Sequence, residues 1–191
     1  MRNFQKLYSN IEITPLLNTI NRNPELWNQQ TFRTQSKDST MHEVDDIIIR
    51  FGDVSGLTSD DPKLYDVFQN DVDPQWNSNI LALHPVKDII RDLMNKLNAY
   101  SVGRCLISRM KPGSQIKEHD DTIGRYVNQP TLMRCHVVLK GEAGNITYCG
   151  DEEVCMKTGE VWWFNTRLKH KVINNSSDDR IMLLLDLKIM P

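Results

Sequence analysis

Five histidines, His42, His84, His119, His136 and His170, are the side chains of this sequence best suited to metal or acid–base chemistry. His119 is followed two positions on by a carboxylate, in His119-Asp120-Asp121. A match of that kind among five histidines is a matter of even chance, so the motif says nothing alone. Its company says more: His170 lies 49 residues after Asp121 and Arg180 ten residues beyond His170, both in β-type sequence. Strand side chains alternate between faces, so His119 and Asp121 at a strand end project to the same side. His170, from a strand across a barrel, completes a facial set of two imidazoles and one carboxylate. That set suits non-haem Fe(II) and leaves positions open, two for a chelating 2-oxo acid and one for dioxygen. The far carboxylate of the acid needs a fixed cation, which a guanidinium fork answers bidentately. Arg180 opens the apolar run Ile181-Met182-Leu183-Leu184-Leu185, and an arginine buried there requires an anionic partner.

The elements that must position these residues fall into two textures. Thr14-Pro15 reads as a helix start, with Thr14 as N-cap and an apolar face of Leu16, Leu17 and Ile20 before Asn23-Pro24 ends it; Trp27 covers the core there. Ile47 to Phe51 reads as a buried strand. Gly52 to Asn79 reads as irregular and acidic, with Asp53, Asp60, Asp61, Asp66, Asp71 and Asp73 against Lys63, either a solvated surface or a lid over a site. Pro85 to Leu97 carries Val86, Ile89, Ile90, Leu93, Met94 and Leu97 at helical spacing. After Tyr100 come short strands between turn residues: Cys105 to Met110, Leu132 to Leu139, Ile146 to Cys149, Val154 to Met156, Val161 to Phe164, Lys171 to Ile173 and Arg180 to Ile189. That spacing predicts an antiparallel jelly roll over residues 101–191, with residues 1–100 a helical and strand region packed on it, in one structural domain overall.

The 191 residues carry 23 Lys and Arg against 25 Asp and Glu, a balance without the basic excess that nucleic-acid binding needs. No apolar run approaches the roughly 20 residues that cross a bilayer, and the start has no apolar leader segment, so a cytoplasmic address is expected. Cys105, Cys135, Cys149 and Cys155 fit no zinc or redox spacing and read as reduced thiols. If the segment between Cys149 and Cys155 is a hairpin turn, those two can face one another. The sequence sets no oligomeric state.

From Gly103 to Ile189 the chain resembles the aspartyl/asparaginyl β-hydroxylase family of Fe(II)- and 2-oxoglutarate-dependent oxygenases. The resemblance rests on Ile107-Ser108-Arg109-Met110-Lys111-Pro112-Gly113, His119-Asp120-Asp121, Arg134-Cys135-His136-Val137-Val138-Leu139, Gly159-Glu160-Val161-Trp162-Trp163-Phe164-Asn165, the His170 segment, and Arg180-Ile181-Met182-Leu183-Leu184-Leu185-Asp186. It implies a double-stranded β-helix with iron on His119 and His170, and on Asp121 where the bacterial-type pattern applies. It also implies 2-oxoglutarate held by Ser108, His136 and Arg180, with Arg134 on the substrate side. The implied substrate is an amino acid, free or in a peptide or protein.

Each residue also has a plainer reading. Arg134 and His136 share a face opposite Cys135, Val137 and Leu139, the pattern of a strand with one side in water. Adjacent Trp162 and Trp163 point to opposite faces, one into the core and the other, Trp163, toward a substrate pocket. Asp120 points away from its neighbours, and His42 and His84 have no partners. The rival functions are a cupin-type metal-binding protein without turnover and a non-redox cupin enzyme such as an isomerase; Arg180 favours the oxygenase, since an isomerase has no reason to bury it.

Overall fold

The computed structural model describes residues 2–190 other than residues 38, 59, 60 and 72, so Asp60 of the acidic stretch lies outside the described residues. In the first half, β1 (Phe4–Tyr8) is followed by α1 (Thr14–Arg22), a 3-10 turn at Pro24–Leu26, α2 (Phe32–Gln35) and β2 (Val44–Phe51). Then come α3 (Pro62–Asn70), β3 (Gln75–Trp76), α4 (Asn79–Ala82) and α5 (Val86–Lys96). The second half holds β4 (Ala99–Met110), β5 (Gln115–His119), β6 (Leu132–Lys140) and β7 (Asn145–Cys149), then β8 (Glu152–Cys155), β9 (Val161–Phe164), β10 (His170–Asn174) and β11 (Arg180–Ile189).

The strands form two antiparallel sheets, one of seven in the order β1-β9-β6-β11-β4-β2-β3 and one of four in the order β5-β10-β7-β8. Strands β4 to β11 divide equally between them, β4, β6, β9 and β11 in the large sheet and β5, β7, β8 and β10 in the small one. That division is a double-stranded β-helix. The first half adds β1 to one edge of the large sheet and β2 with β3 to the other, where paired strands cover edges that would otherwise be open.

Alternation along the large sheet separates two environments. Cys105 and Ile107, Cys135, Val137 and Leu139, and Ile181, Leu183, Leu185 and Leu187 all point outward, where Leu16 and Ile20 of α1 and Ile89, Ile90 and Leu93 of α5 bury them in the main core. The opposite face looks toward the small sheet. There Val138, Trp162, Phe164 and Met182 pack with Cys149 and Val154. Toward β2 and β4, beyond the reach of the small sheet, Phe32 of α2 and Leu64 and Phe68 of α3 cover Ile48, Phe51 and Leu106.

Several expectations are corrected here. The helix of the first twenty residues begins with Thr14 inside it: Ile13 is the N-cap, and the Thr14 N–H donates to Glu12 Oε1 at 2.9 Å. The acidic stretch is not irregular throughout, because Pro62 at the first turn and Asp61 accepting from the Lys63 N–H launch α3. Cys149 and Cys155 do not face one another; the β7–β8 register sets Cys149 opposite Glu152 and Cys155 opposite Ile146, and both are free. None of the described helices is long and apolar enough to cross a membrane.

Candidate active site

His119 ends β5 and His170 begins β10, and the two are direct cross-strand partners with ring centroids 4.2 Å apart. The register itself therefore brings together residues 51 positions apart in sequence. The carbonyl of Lys117 lies 2.8 Å from His119 Nδ1, and that of Leu168 lies 2.9 Å from His170 Nδ1. A carbonyl can only accept, so each Nδ1 donates, the tautomer that turns Nε2 toward a metal. Burial, and next the neighbouring His119, lower the His170 pKa and favour the neutral imidazole that a metal needs. The Asp121 N–H donates to the Thr166 carbonyl at 2.8 Å, which turns its carboxylate toward the two rings. One ligand atom from each of His119, Asp121 and His170 lies within 4.8 Å of the others. Asp120 faces elsewhere, paired with Lys169 Nζ at 2.7 Å and hydrogen-bonded by Thr122 Oγ1.

Behind the triad lies an inner chamber lined by Ser108, His136, Phe164, Met182 and Arg180. Arg180 is 6% exposed, and its one side-chain hydrogen bond among the described residues is a 3.7 Å contact from Nη1 to Met110 Sδ. Burial brings its pKa down to about 10. His136 lies against the Phe164 ring at 4.4 Å and leaves a buried Nδ1 with no hydrogen-bond partner. Burial first, then the positive charges of Arg134 and Arg180, hold its pKa well below the ordinary imidazole value, so it is neutral. Ser108 stands opposite Asp46 across β4 and β2. Its hydroxyl donates to Asp46 Oδ1 at 2.8 Å and accepts from Arg33 Nη2 at 2.9 Å.

A second, outer chamber adjoins the first, sharing Arg33, Met41, Asp121, Arg134 and Leu184 with it. Four buried or partly buried arginines line the pair, and they divide into two kinds. Arg33 is bidentate to Asp46 at 2.7 Å, and Arg134 is bidentate to its cross-strand partner Asp186 at 2.8 and 3.0 Å. Arg134 Nη1 also donates to Asp121 Oδ2 at 2.8 Å. Burial alone would lower the Arg134 pKa, but Asp186 and Asp121 outweigh it and raise it. Arg180 and Arg104 have no such carboxylate among the described residues. From Asp186 the network continues: Tyr126 Oη donates to Asp186 Oδ2 at 2.9 Å and accepts from the Arg104 backbone N–H at 2.7 Å. Gly103 makes room for this, since a Cβ there would stand 2.6 Å from the Tyr126 hydroxyl.

The structure thus brings His119, Asp121, His170, Ser108, His136, Arg134 and Arg180 to one pair of connected chambers. The polar face of β6 looks between the sheets and not into water. Trp163 is the exception: alternation puts Trp162 and Phe164 on the inner face and Trp163 with Val161 on the other. Phe164, not Trp163, walls the pocket. Arg33, Asp46, Arg104, Tyr126 and Asp186 escaped the sequence reading. Of these Asp186 alone left a signal, a single acid within the apolar run of the last strand, which must have a partner to be buried.

A family model described as Aspartyl/Asparaginyl beta-hydroxylase matches residues 64–189. No functionally curated protein matches the chain. Among solved structures, the viral collagen prolyl hydroxylase of Paramecium bursaria Chlorella virus-1, in its 2-oxoglutarate complex, is 13% identical with a TM-score of 0.56, over 100% of this chain and 97% of the viral one. A Burkholderia pseudomallei oxidoreductase of the 2-oxoglutarate–Fe(II) oxygenase family is 14% identical with a TM-score of 0.54, over 83% of this chain and 74% of the other. A Pseudomonas putida prolyl-4-hydroxylase is 13% identical with a TM-score of 0.52, over 100% and 95%. At such identities the three show a shared fold.

Proposed function

The chain belongs to the aspartyl/asparaginyl β-hydroxylase family, and from that premise we propose that it is an Fe(II)- and 2-oxoglutarate-dependent oxygenase that hydroxylates a C–H bond of an amino acid, free or in a peptide or protein. His119, Asp121 and His170 hold the iron, and Arg180, His136 and Ser108 hold 2-oxoglutarate. The observation that carries this reading is Arg180: a buried guanidinium without a carboxylate among the described residues, in a pocket that it shares with a convergent His/Asp/His set. A cation left so in a dry site is costly unless a ligand completes it.

The residues present fit both groups. Two imidazoles and a carboxylate are the donor types of a non-haem Fe(II) site. The far carboxylate of 2-oxoglutarate answers the Arg180 fork, while Ser108 turns its hydroxyl proton from Asp46 to the same ligand. His136, neutral and with an unpartnered nitrogen, adds a hydrogen bond without a charge. Bound Fe(II) supplies the activation of dioxygen, one atom of which enters succinate as carbon dioxide leaves, the other entering the hydroxylated product. The protein's share is orientation and dryness. Arg134, clamped by Asp186, holds Asp121 in its rotamer, and Phe164, Met182 and Leu184 exclude water. We read residues 101–191 as the catalytic core with 1–100 packed on it. The address is read as cytoplasmic, in keeping with four free thiols.

The test is turnover. Incubated with Fe(II), ascorbate and 2-oxoglutarate, the protein should release succinate. A mass-spectrometric screen of amino acids and cell-extract peptides should find a gain of one oxygen that requires 2-oxoglutarate. Metal binding without succinate under any of these conditions would instead identify a cupin-type binding protein.

A further inference from the structure

The outer chamber carries a charge that the reaction above does not use. Arg104, on the inner face of β4, is 4% exposed. Its guanidinium lies 3.6 Å from the Tyr126 ring centroid and 4.5 Å from that of Phe51, with Phe68 at 5.4 Å. Nη2 donates to the carbonyls of Val67 and Phe68 at 3.3 and 2.6 Å, which fixes the group against α3. Nε is buried and has no hydrogen-bond partner, and no carboxylate pairs with the group among the described residues. Burial brings the pKa of Arg104 down to about 10, yet it remains a cation at neutral pH. Arg33 and Arg134 pair directly with Asp46 and Asp186, whereas Asp186 and Asp71 act on Arg104 only through space, without a direct ion pair among the described residues.

The apolar lining of the chamber is Phe51, Phe68, Leu106, Ile123, Val127 and Leu184, with Asp120, Asp121 and Asp186 also on its wall, around a volume of about 130 Å³. It is closed on the α3 side, where the Tyr126 N–H donates to the Gln69 carbonyl at 2.8 Å and Gly124, at φ +100°, presses against Gln69. Such a space admits a small body and not a folded polypeptide.

We propose that the outer chamber is the substrate site and that Arg104 recognises a carboxylate there, so that the substrate is a small free acid with an apolar body whose C–H bond is presented at Asp121. The assignment of the chamber to substrate rests on the oxygenase reading; the carboxylate specificity of Arg104 rests on the unpaired guanidinium itself. A carboxylate replaces the missing partner with charge-assisted hydrogen bonds, whereas a carboxamide of the same shape leaves the cation uncompensated. Arg104 is therefore a specificity-determining residue.

The test is calorimetric binding to the whole chain loaded with manganese and 2-oxoglutarate, and repeated without either. The probes are apolar amino acids and unsubstituted apolar acids of the same size, each beside its carboxamide. At least one acid should bind the parent, with its amide at least about tenfold weaker, since each factor of ten corresponds to about 1.4 kcal/mol. Arg104→Met should weaken the acid by a similar factor and should keep the parent's affinity for 2-oxoglutarate, which reports an intact inner chamber. Equal binding of acid and amide overturns the proposal whether or not the variant folds, as does an Arg104→Met protein that binds acid like the parent. Failure of every acid on a parent that binds 2-oxoglutarate overturns the substrate class and leaves the oxygenase reading standing. Failure of 2-oxoglutarate itself overturns the oxygenase reading, while the metal-free arm still decides whether Arg104 selects acids.

Discussion

The two faces of the large sheet are made by the same strands and do opposite work. On β11, Leu183 and Leu185 bury themselves under α1 and α5, while the alternate positions Arg180 and Asp186 enter the space between the sheets. On β6, Cys135 and Val137 go one way and Arg134 and His136 the other. The outward face gains stability from apolar burial. The inward face sets aside part of that gain by holding two buried arginines, Arg104 and Arg180, without a direct carboxylate partner among the described residues. The comparison teaches that activity and stability should be separable by parity along a single strand.

The largest effect should come from the triad. His119→Ala or His170→Ala should reduce Fe(II)-dependent succinate formation to background while the melting temperature stays close to the parent's, because both rings line the pocket between the sheets. If both variants turn over 2-oxoglutarate like the parent, the ligand assignment is wrong. On the other face, Leu183→Ala should cost about 2–5 kcal/mol in denaturant unfolding, the range for deleting a fully buried leucine, with little change in the 2-oxoglutarate requirement of the folded protein. A Leu183 variant that lost activity without losing stability would break the comparison.

Smaller still is the effect of pH. The folded His136 pKa is lowered by burial and by Arg134 and Arg180, so between pH 6.5 and 5 the unfolded chain takes up a proton that the folded one refuses. Stability therefore rises with pH through this window and is lost as pH falls. His136→Leu should flatten the slope by up to about 1.4 kcal/mol per pH unit, one proton's worth, at the acid end of that window. Identical pH profiles for parent and variant, followed by thermal unfolding, would show that His136 does not carry it.

How much of this is legible in the sequence follows from what alternation can and cannot say. The order His119, Asp121, His170, Arg180 on β-type segments points to the triad and its cation, although β5 ends at His119 and Asp121 is placed by its backbone bond to Thr166 and not by strand parity. Parity shows that Arg134 and His136 share a face, but not whether that face meets water or a second sheet. It likewise shows that Trp162 and Trp163 diverge without telling which one turns inward. A strand end at His119 is expected, but the extent of β5 has no apolar signature, since Gln115-Ile116-Lys117-Glu118-His119 has a single apolar residue and its pairing to β10 makes it a strand. α3 was hidden by the acids around it, although Asp61-Pro62 and the trio Leu64, Val67 and Phe68 carry its start and its apolar side. The pairs Arg33–Asp46 and Arg134–Asp186 join residues 13 and 52 positions apart and have no local signature.

The central claim is that Arg180 is a cation waiting for the far carboxylate of 2-oxoglutarate. Titrating 2-oxoglutarate into the manganese-loaded parent, Arg180→Met and Arg180→Lys, with manganese preventing turnover, tests it most directly. Truncation leaves the ligand's carboxylate buried and unpaired at a cost of about 2–5 kcal/mol. The account predicts at least about thirtyfold weaker binding to Arg180→Met, with manganese affinity intact. Arg180→Lys, which keeps the charge but loses the planar fork, should fall between the two. Indistinguishable 2-oxoglutarate affinities across the three proteins would contradict it.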